Sequence, residues 1–202
     1  MKTNTITYLE AVKERRTNYT LTSESTISDE AIQHILEEAI LHAPSSFNAQ
    51  NGRAVLLLGE QHQKLWNITR EALRAIVPAE NFPETDARIT SFQNGYGSIL
   101  FLEDTEIIKN LELGFPVFAH NFKSWSLQSI GMLQHIVWTA FNQEGLGASL
   151  QHYNELIETQ LRDEFQIPKH WKLISQMPFG KPSAPAGDKE FAPLADRLIV
   201  LK

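Results

Sequence analysis

The chain has 202 residues, 42% hydrophobic and 21% charged, with 24 acidic against 18 basic side chains and a formal charge of −6. This is globular composition with room for a sizeable core in one domain spanning 1–202. The acidic balance argues against nucleic-acid binding, which takes a basic face. Cysteine is absent, so disulfides, thiolate nucleophiles and Cys-type zinc sites are excluded. No apolar run nears membrane-spanning length, and the N-terminal stretch lacks the apolar region of a secretion signal. A cytoplasmic protein with no membrane partner is expected.

The first predicted element is a helix over 5–16, where Ile6, Leu9 and Val12 make a short stripe and Arg15-Arg16 supply cations for the last turn. Ser28 is placed to cap a second helix, with Ile32, Ile35, Leu36, Ala39 and Ile40 at helical spacing and Pro44 as the stop. The passage HAPSSFNAQNGR (42–53) follows, then an apolar run AVLLLG (54–59) that reads as a buried strand ended by Gly59. A helix is predicted over 60–77, then a polar connection over 78–86. The second strand signal is GYGSILFLED (95–104), followed by a helix over 105–113.

Residues 124–143 suit a long central helix stopped at Gly145-Leu146-Gly147. A brief extended segment over 148–153, a helix over 155–165 and a strand over 171–177 come next. Residues 179–197 are rich in Pro, Gly and Ala and read as an arm, and LIVL (198–201) reads as a last strand. Helices and strands are mixed around a helical middle, so the fold class is α+β.

Most chemical motifs are missing. Gly95-x-Gly97 precedes its strand and Gly145-x-Gly147 follows a helix, so neither is a dinucleotide fingerprint, and no phosphate-binding P-loop is present. Seven histidines are scattered with no HExxH, which leaves metal ligation without a ligand set. Ser45-Ser46 lack the flanking glycines of a nucleophile elbow. What remains is anion-binding chemistry. Arg15, Arg16 and Thr17 offer two guanidinium forks and a hydroxyl that fit a phosphate, and Lys189 in the arm adds a cation. Taken alone, Arg15-Arg16 also fits a solvated basic patch, and HAPSSFNAQNGR an ordinary polar turn.

Together, in this order, the segments are more specific. Arg15-Arg16-Thr17, then Pro44-Ser45-Ser46-Phe47-Asn48-Ala49-Gln50, then GLGAS (145–149) and a lysine-bearing tail resemble the FMN-dependent nitroreductase family nearly end to end. SLQHYN (149–154) and MPFGKPSAPAGDKEF (177–191) look like the fatty-acid-repression subgroup of fungi and bacteria. The resemblance implies an antiparallel sheet flanked by helices, and an intertwined homodimer with FMN at its interface. Arg15, Arg16 and Thr17, helped by Lys189, would then hold the phosphate side. Pro44, Ser45, Ser46 and Asn48 would face the isoalloxazine across the interface, with Gln50 in support, and Leu150, Gln151 and His152 would lie beside the ring.

Two positions depart from the family pattern: Tyr19 and Phe191 stand where cations are expected, and Arg88 and Arg197 are the candidates to compensate. The implied chemistry is ping-pong: NADH or NADPH passes hydride to flavin N5, leaves, and a small-molecule acceptor, a nitroaromatic or quinone, is reduced. No side-chain catalyst is required, and His152 is the nearby titratable group. Phe92, Tyr96, Phe115, Phe118 and Phe122 are candidates for the substrate wall. The alternative is a flavin-binding regulator or redox sensor linked to lipid signalling, with little turnover.

Overall fold

The structure, a computed structural model, describes residues 7–202. Thr5 and Ile6, the first residues of the expected N-terminal helix, lie outside the described residues. Its described part is α1 (Tyr8–Glu14), opened by a capping box in which Thr7 Oγ1 accepts from Glu10 N–H and the Glu10 carboxylate accepts from Thr7 N–H. α2 (Asp29–His42) starts at the expected cap, Ser28. Its buried stripe is Ile32, Leu36 and Ala39; Ile40 faces solvent.

The strands are β1 (Gly52–Leu58), β2 (Gly97–Asp104), β3 (Gly147–Ala148) and β4 (Trp171–Gly180). They form one antiparallel sheet of order β1-β2-β4-β3. β2 lies between β1 and β4 and is buried over its whole length. The alternation of a strand then divides the core in two. Ile99 and Phe101 point to one layer with Ile32, Leu133, Val137 and Phe141, and Leu100 and Leu102 to the other with Leu65, Trp66, Ile89 and Phe92. Each such side chain contributes about 1.5–3 kcal/mol by leaving water. The β2–β4 register slips between Phe101 and Leu102, where Ile174 of β4 is the extra residue of a bulge.

α3 (Gly59–Arg74), α4 (Phe82–Gln93) and α7 (Asn154–Glu164) supply the second layer; α2 and α6 (Ala119–Gln143) cover the first. α5 (Thr105–Gly114) connects β2 to a short aromatic turn at Pro116–Phe118. Gly145, at φ +79°, ends the α6 passage as a left-handed stop. Among the described residues no helix is long and apolar enough to cross a membrane.

Three differences from the sequence reading have physical causes. The connection expected over 78–86 runs into α4. Pro83 sits in that helix's first turn, where its missing N–H has no helical partner to lose, and Phe82, Ile89 and Phe92 anchor the buried face. α6 begins five residues earlier than expected, at Ala119, because the turn at Pro116–Phe118 feeds directly into it. The last strand expected over 198–201 does not form: these residues enter no ladder and stay exposed. At one edge of the sheet Thr17 already bridges Ala148 of β3, and at the other edge the tail does not pair with β1.

One buried titratable group ties α3 to the sheet. His62 Nδ1 lies 2.9 Å from Ser98 Oγ and Nε2 lies 3.1 Å from Gln93 O, while Trp66 Nε1 donates to the same Ser98 Oγ at 3.0 Å. With His62 neutral, Nε2–H donates to the carbonyl and Nδ1 accepts from Ser98, whereas protonation would take that acceptor away from the Ser98 hydroxyl hydrogen. Burial lowers the His62 pKa, partly opposed by the Gln93 carbonyl. The unfolded chain therefore takes up a proton that the folded chain refuses as pH falls through and below the ordinary imidazole range. Stability is full above that range and lost below it. Thermal melts from pH 7 to pH 5 should show a falling melting temperature, and His62→Gln should flatten that slope; parallel curves for the two proteins would remove His62 as the cause.

Candidate functional site

The Arg15-Arg16-Thr17 segment is held by main chain. Arg15 caps α1, Thr17 bridges Ala148 and Asn18 N–H donates to Ala148 O at 3.0 Å. Gly147 permits this approach: a Cβ there would come within 2.8 Å of Asn18 Cβ and of Pro182 Cγ. The Arg15 guanidinium lies 4.3 Å over the Trp138 ring of α6. Arg15 Nη1 and Trp138 Nε1 are both shielded from solvent and have no acceptor. Both are donor-only groups, so the pair lacks a partner of one kind, an acceptor. Burial, then the Arg16 charge, lowers the Arg15 pKa, so an anion there would be stabilised strongly.

Arg16 Nη2 donates to Gly187 O and lines a cleft of about 570 Å³ with Asn18, Thr26 and the 181–186 stretch. The arm is thereby fastened beside the arginines. It is also zipped to the segment after them: Thr22 N–H donates to Lys181 O, Lys181 N–H to Glu24 O and Ser183 N–H to Thr20 O, at 2.8–2.9 Å. Lys189 lies two residues beyond Gly187 on the arm, and its ammonium lies 5.2 Å from the Phe191 ring.

The 44–50 loop is tightly bent. Phe47, Asn48 and Gln50 have φ of 57°, 50° and 49°. Asparagine tolerates this region, whereas for Phe and Gln it is a strained conformation. Ser45 counters the strain, its Oγ accepting from Gln50 N–H at 2.9 Å and its carbonyl from Asn48 N–H at 3.0 Å. Pro44, Ser45 and Gln50 line a small cavity of about 140 Å³ against Ser129 and Leu133 of α6, whereas Ser46 begins the short helical turn carrying Asn48.

The loop's base is anchored by residues that had no role in the sequence reading. Asn51 is buried, and its side chain donates to Ser126 Oγ at 2.6 Å; Ser126 donates in turn to Glu103 Oε1. Arg53 pairs with Asp104 at 2.9 Å and also donates to Gln50 O at 2.7 Å. A serine on the apolar face of α6 was the signal in the sequence for a buried polar partner.

Phe47 gathers aromatic rings around the loop. Phe115, Phe118, Phe122 and Trp125 lie with ring centroids 4.7, 6.1, 5.5 and 6.3 Å from it. Phe115 and Phe118 thus join the loop, with Phe122 buried beneath them. Tyr96 does not, since its hydroxyl donates to Asp29. Phe92 packs on Trp66 in the opposite core layer, at 5.0 Å.

Residues 150–152 run along the β4 edge. Gln151 exchanges main-chain hydrogen bonds with Gln176, at 2.7 and 2.9 Å, and its side chain donates to Ser149 Oγ. Leu150 and Gln151 are half-buried and His152 is exposed. The buried Gln176 side chain accepts from Tyr153 N–H and donates to Asn154, fixing the turn.

A single chain unites Arg15–Thr17 with residues 148–151 and with the arm. It does not bring the 44–50 loop to them. The loop packs near Trp125 and the arginines near Trp138, thirteen residues apart on α6, which is about 20 Å of helix.

A family model for the nitroreductase family matches residues 12–181. HBN1 of Saccharomyces cerevisiae is 36% identical over 189 residues, covering 92% of this chain and 93% of that protein. The nitroreductase CinD of Lactococcus lactis, solved with chloramphenicol, superposes with a TM-score of 0.89 at 38% identity, covering 97% of this chain and 100% of that one; it has also been solved with 4-nitrophenol. A Desulfovibrio desulfuricans protein solved in complex with FMN shares the fold, with a TM-score of 0.71 at 22% identity over 98% of this chain and 99% of that one.

Removing the Asn51 amide leaves Ser126 with one partner fewer in a buried network. Asn51→Ala should lower unfolding free energy by about 1–3 kcal/mol, the penalty for a buried polar group left unmatched. Urea denaturation measures it, and an unchanged midpoint would show that the anchor contributes nothing.

Proposed function

The chain belongs to the nitroreductase family, and we propose that it acts there as an FMN-dependent NAD(P)H oxidoreductase, a cytoplasmic homodimer with one flavin-binding domain per chain. The observation that carries the reading is the pair of shielded, acceptor-less donors, Arg15 Nη1 and Trp138 Nε1, beside a second arginine. Such a donor pair fits a group rich in anionic oxygen, as the FMN phosphate is. Bound FMN would supply the redox chemistry, accepting hydride from NADH or NADPH and reducing a nitroaromatic or quinone-like acceptor.

The chain's own residues bind and orient. Arg15, Arg16 and Thr17 hold the phosphate, and Lys189 approaches with the arm that Arg16 fastens. Leu150, Gln151 and His152 lie along the ring, presented by the Gln151–Gln176 pairing. Pro44, Ser45, Ser46, Asn48 and Gln50 act from the second subunit, because α6 keeps them far from the arginines of their own chain. The partly exposed rings of Phe47, Phe115 and Phe118 form an apolar wall suited to a flat aromatic acceptor. The nitroaromatic complexes of CinD support that acceptor class. His152, exposed at the turn, is the titratable side chain able to hand a proton to the reduced acceptor.

Purified protein should be yellow, bleach on adding NADH or NADPH, and recolour with a nitroarene; protein that stays colourless after reconstitution with FMN would end this reading. Arg15→Ala should weaken FMN binding by about 1–3 kcal/mol, the scale of a charge-assisted hydrogen bond left unmade. Flavin fluorescence titration gives the affinity, and an unchanged value would remove Arg15 from the phosphate site.

A further inference from the structure

The 44–50 loop and the aromatic turn at Pro116–Phe118 meet at their tips, through the rings of Phe47, Phe115 and Phe118. They are joined a second time at their bases. Arg53 Nη1 donates to Gln50 O at 2.7 Å and to Gly52 O at 2.9 Å, and its Nη2 donates to Asp104 Oδ2 at 2.9 Å. The other oxygen of that carboxylate opens α5: Asp104 Oδ1 accepts from Glu106 N–H at 3.1 Å and from Ile107 N–H at 3.4 Å. α5 then runs 10 residues, about 15 Å of helix, and closes where Phe115 N–H donates to Leu111 O.

These contacts form a closed circuit. It passes from Arg53 to Asp104, along α5, across the Phe115–Phe47 contact and back down the loop to Gln50. The main chain joins only the bases, where Asp104 N–H donates to Asn51 O at 2.9 Å. Orientation beyond them falls to the ion pair. The Asp104 side chain is 9% exposed and that of Arg53 26%, so separating the pair would leave a charge in a poorly solvated place. The imidazole beside it is too far to take over: His170 Nε2 lies 3.8 Å from Asp104 Oδ2, beyond hydrogen-bond distance. The planar guanidinium fork lets one side chain grip a loop carbonyl and a helix cap at once, and the Trp171 ring flanks it at 5.5 Å.

We propose that Arg53 and Asp104 are positioning residues that hold Phe47 against the Phe115–Phe118 turn and so set the size of aromatic acceptor the wall admits. This rests on the acceptor reading above and adds two specificity-determining residues to it. The rings of Phe47 and Phe115 are already in contact, with centroids 4.7 Å apart, so a fused two-ring acceptor has to part them and a one-ring acceptor does not. Parting them works against the ion pair. With the pair broken, the loop is free to leave the left-handed backbone it holds at Phe47 and Gln50, and the wall opens. A one-ring nitroarene then loses contact, while a two-ring one gains access.

Asp104→Asn keeps a residue able to cap α5 and removes the charge that Arg53 holds, and Arg53→Gln removes the other partner. Each should raise the KM for 4-nitrophenol about tenfold, the scale of one charge-assisted hydrogen bond lost. Each should also lower the preference for 4-nitrophenol over 1-nitronaphthalene, while NADH bleaches the bound flavin at the wild-type rate. The double variant should shift no further than either single one, since both break the same link. Amide hydrogen exchange reads the link without turnover: the Gln50 and Phe118 amides, bonded to Ser45 Oγ and Phe115 O, should exchange faster together in each variant. Unchanged acceptor preference would overturn the inference, as would faster exchange at one of these amides without the other. An equal fall in flavin bleaching and acceptor reduction would also end it, because that is what general loosening produces. Wild-type turnover with indifferent variants removes this inference alone; wild-type protein that binds no FMN removes the flavin reading and this inference with it.

Discussion

The 25-residue α6 sets the distance on which the site depends. Its C-terminal half carries Trp138, under Arg15, and its N-terminal half carries Trp125, beside Phe47. A helix cannot shorten without losing its hydrogen bonds, and this one is clamped by Ile130, Leu133, Val137 and Phe141 against the sheet and α2. The two sets of polar groups are therefore fixed apart in one chain. On the proposed flavin reading a ligand touching both would be met from two chains, and the apolar side chains left exposed at Leu41, Phe47, Val117 and Leu127 are what a second chain would cover.

The 44–50 loop shows how strain is maintained. Two residues that disfavour left-handed backbone, Phe47 and Gln50, adopt it within four positions, at about 1–3 kcal/mol each. Besides the Ser45 hydrogen bonds within the loop, the offset comes from below. Asn51, Ser126 and Glu103 form a buried chain of hydrogen bonds, and Arg53 clamps Gln50 O and Asp104 together. Every strong anchor lies at the loop's base, and the tip is left to face outward. Small hydrogen-bonding groups at such a tip are presented without having to be ordered at the moment of binding.

The parts of the fold legible in the sequence were those where one local signal dominated. The apolar runs around 54–58 and 97–102 admitted little besides buried strands, and Ser28 with its following stripe marked α2. α4 was hidden because its buried face rests on three apolar side chains and opens on a proline that normally signals a break. The LIVL tail carried a strand composition, yet a strand is a relation between two backbones, and its own sheet has no edge free beside β3. Of the candidate site, the sequence order of arginines, loop and arm was informative. The anchors Asn51 and Glu103 were not visible, because their significance comes from distances between segments far apart in the chain.

The zipper joining residues 20–24 to 181–183 has a consequence for how the protein is made. Its hydrogen bonds span about 160 positions, and the Thr17–Ala148 bridge spans about 130. Contacts of such separation are late and slow, because the closing loop must be ordered first. During synthesis the first arginines emerge early and wait for almost the entire remaining chain before their surroundings exist. The Arg15–Thr17 end of the candidate site is thus a property of the finished polypeptide, and no N-terminal fragment can assemble it in advance.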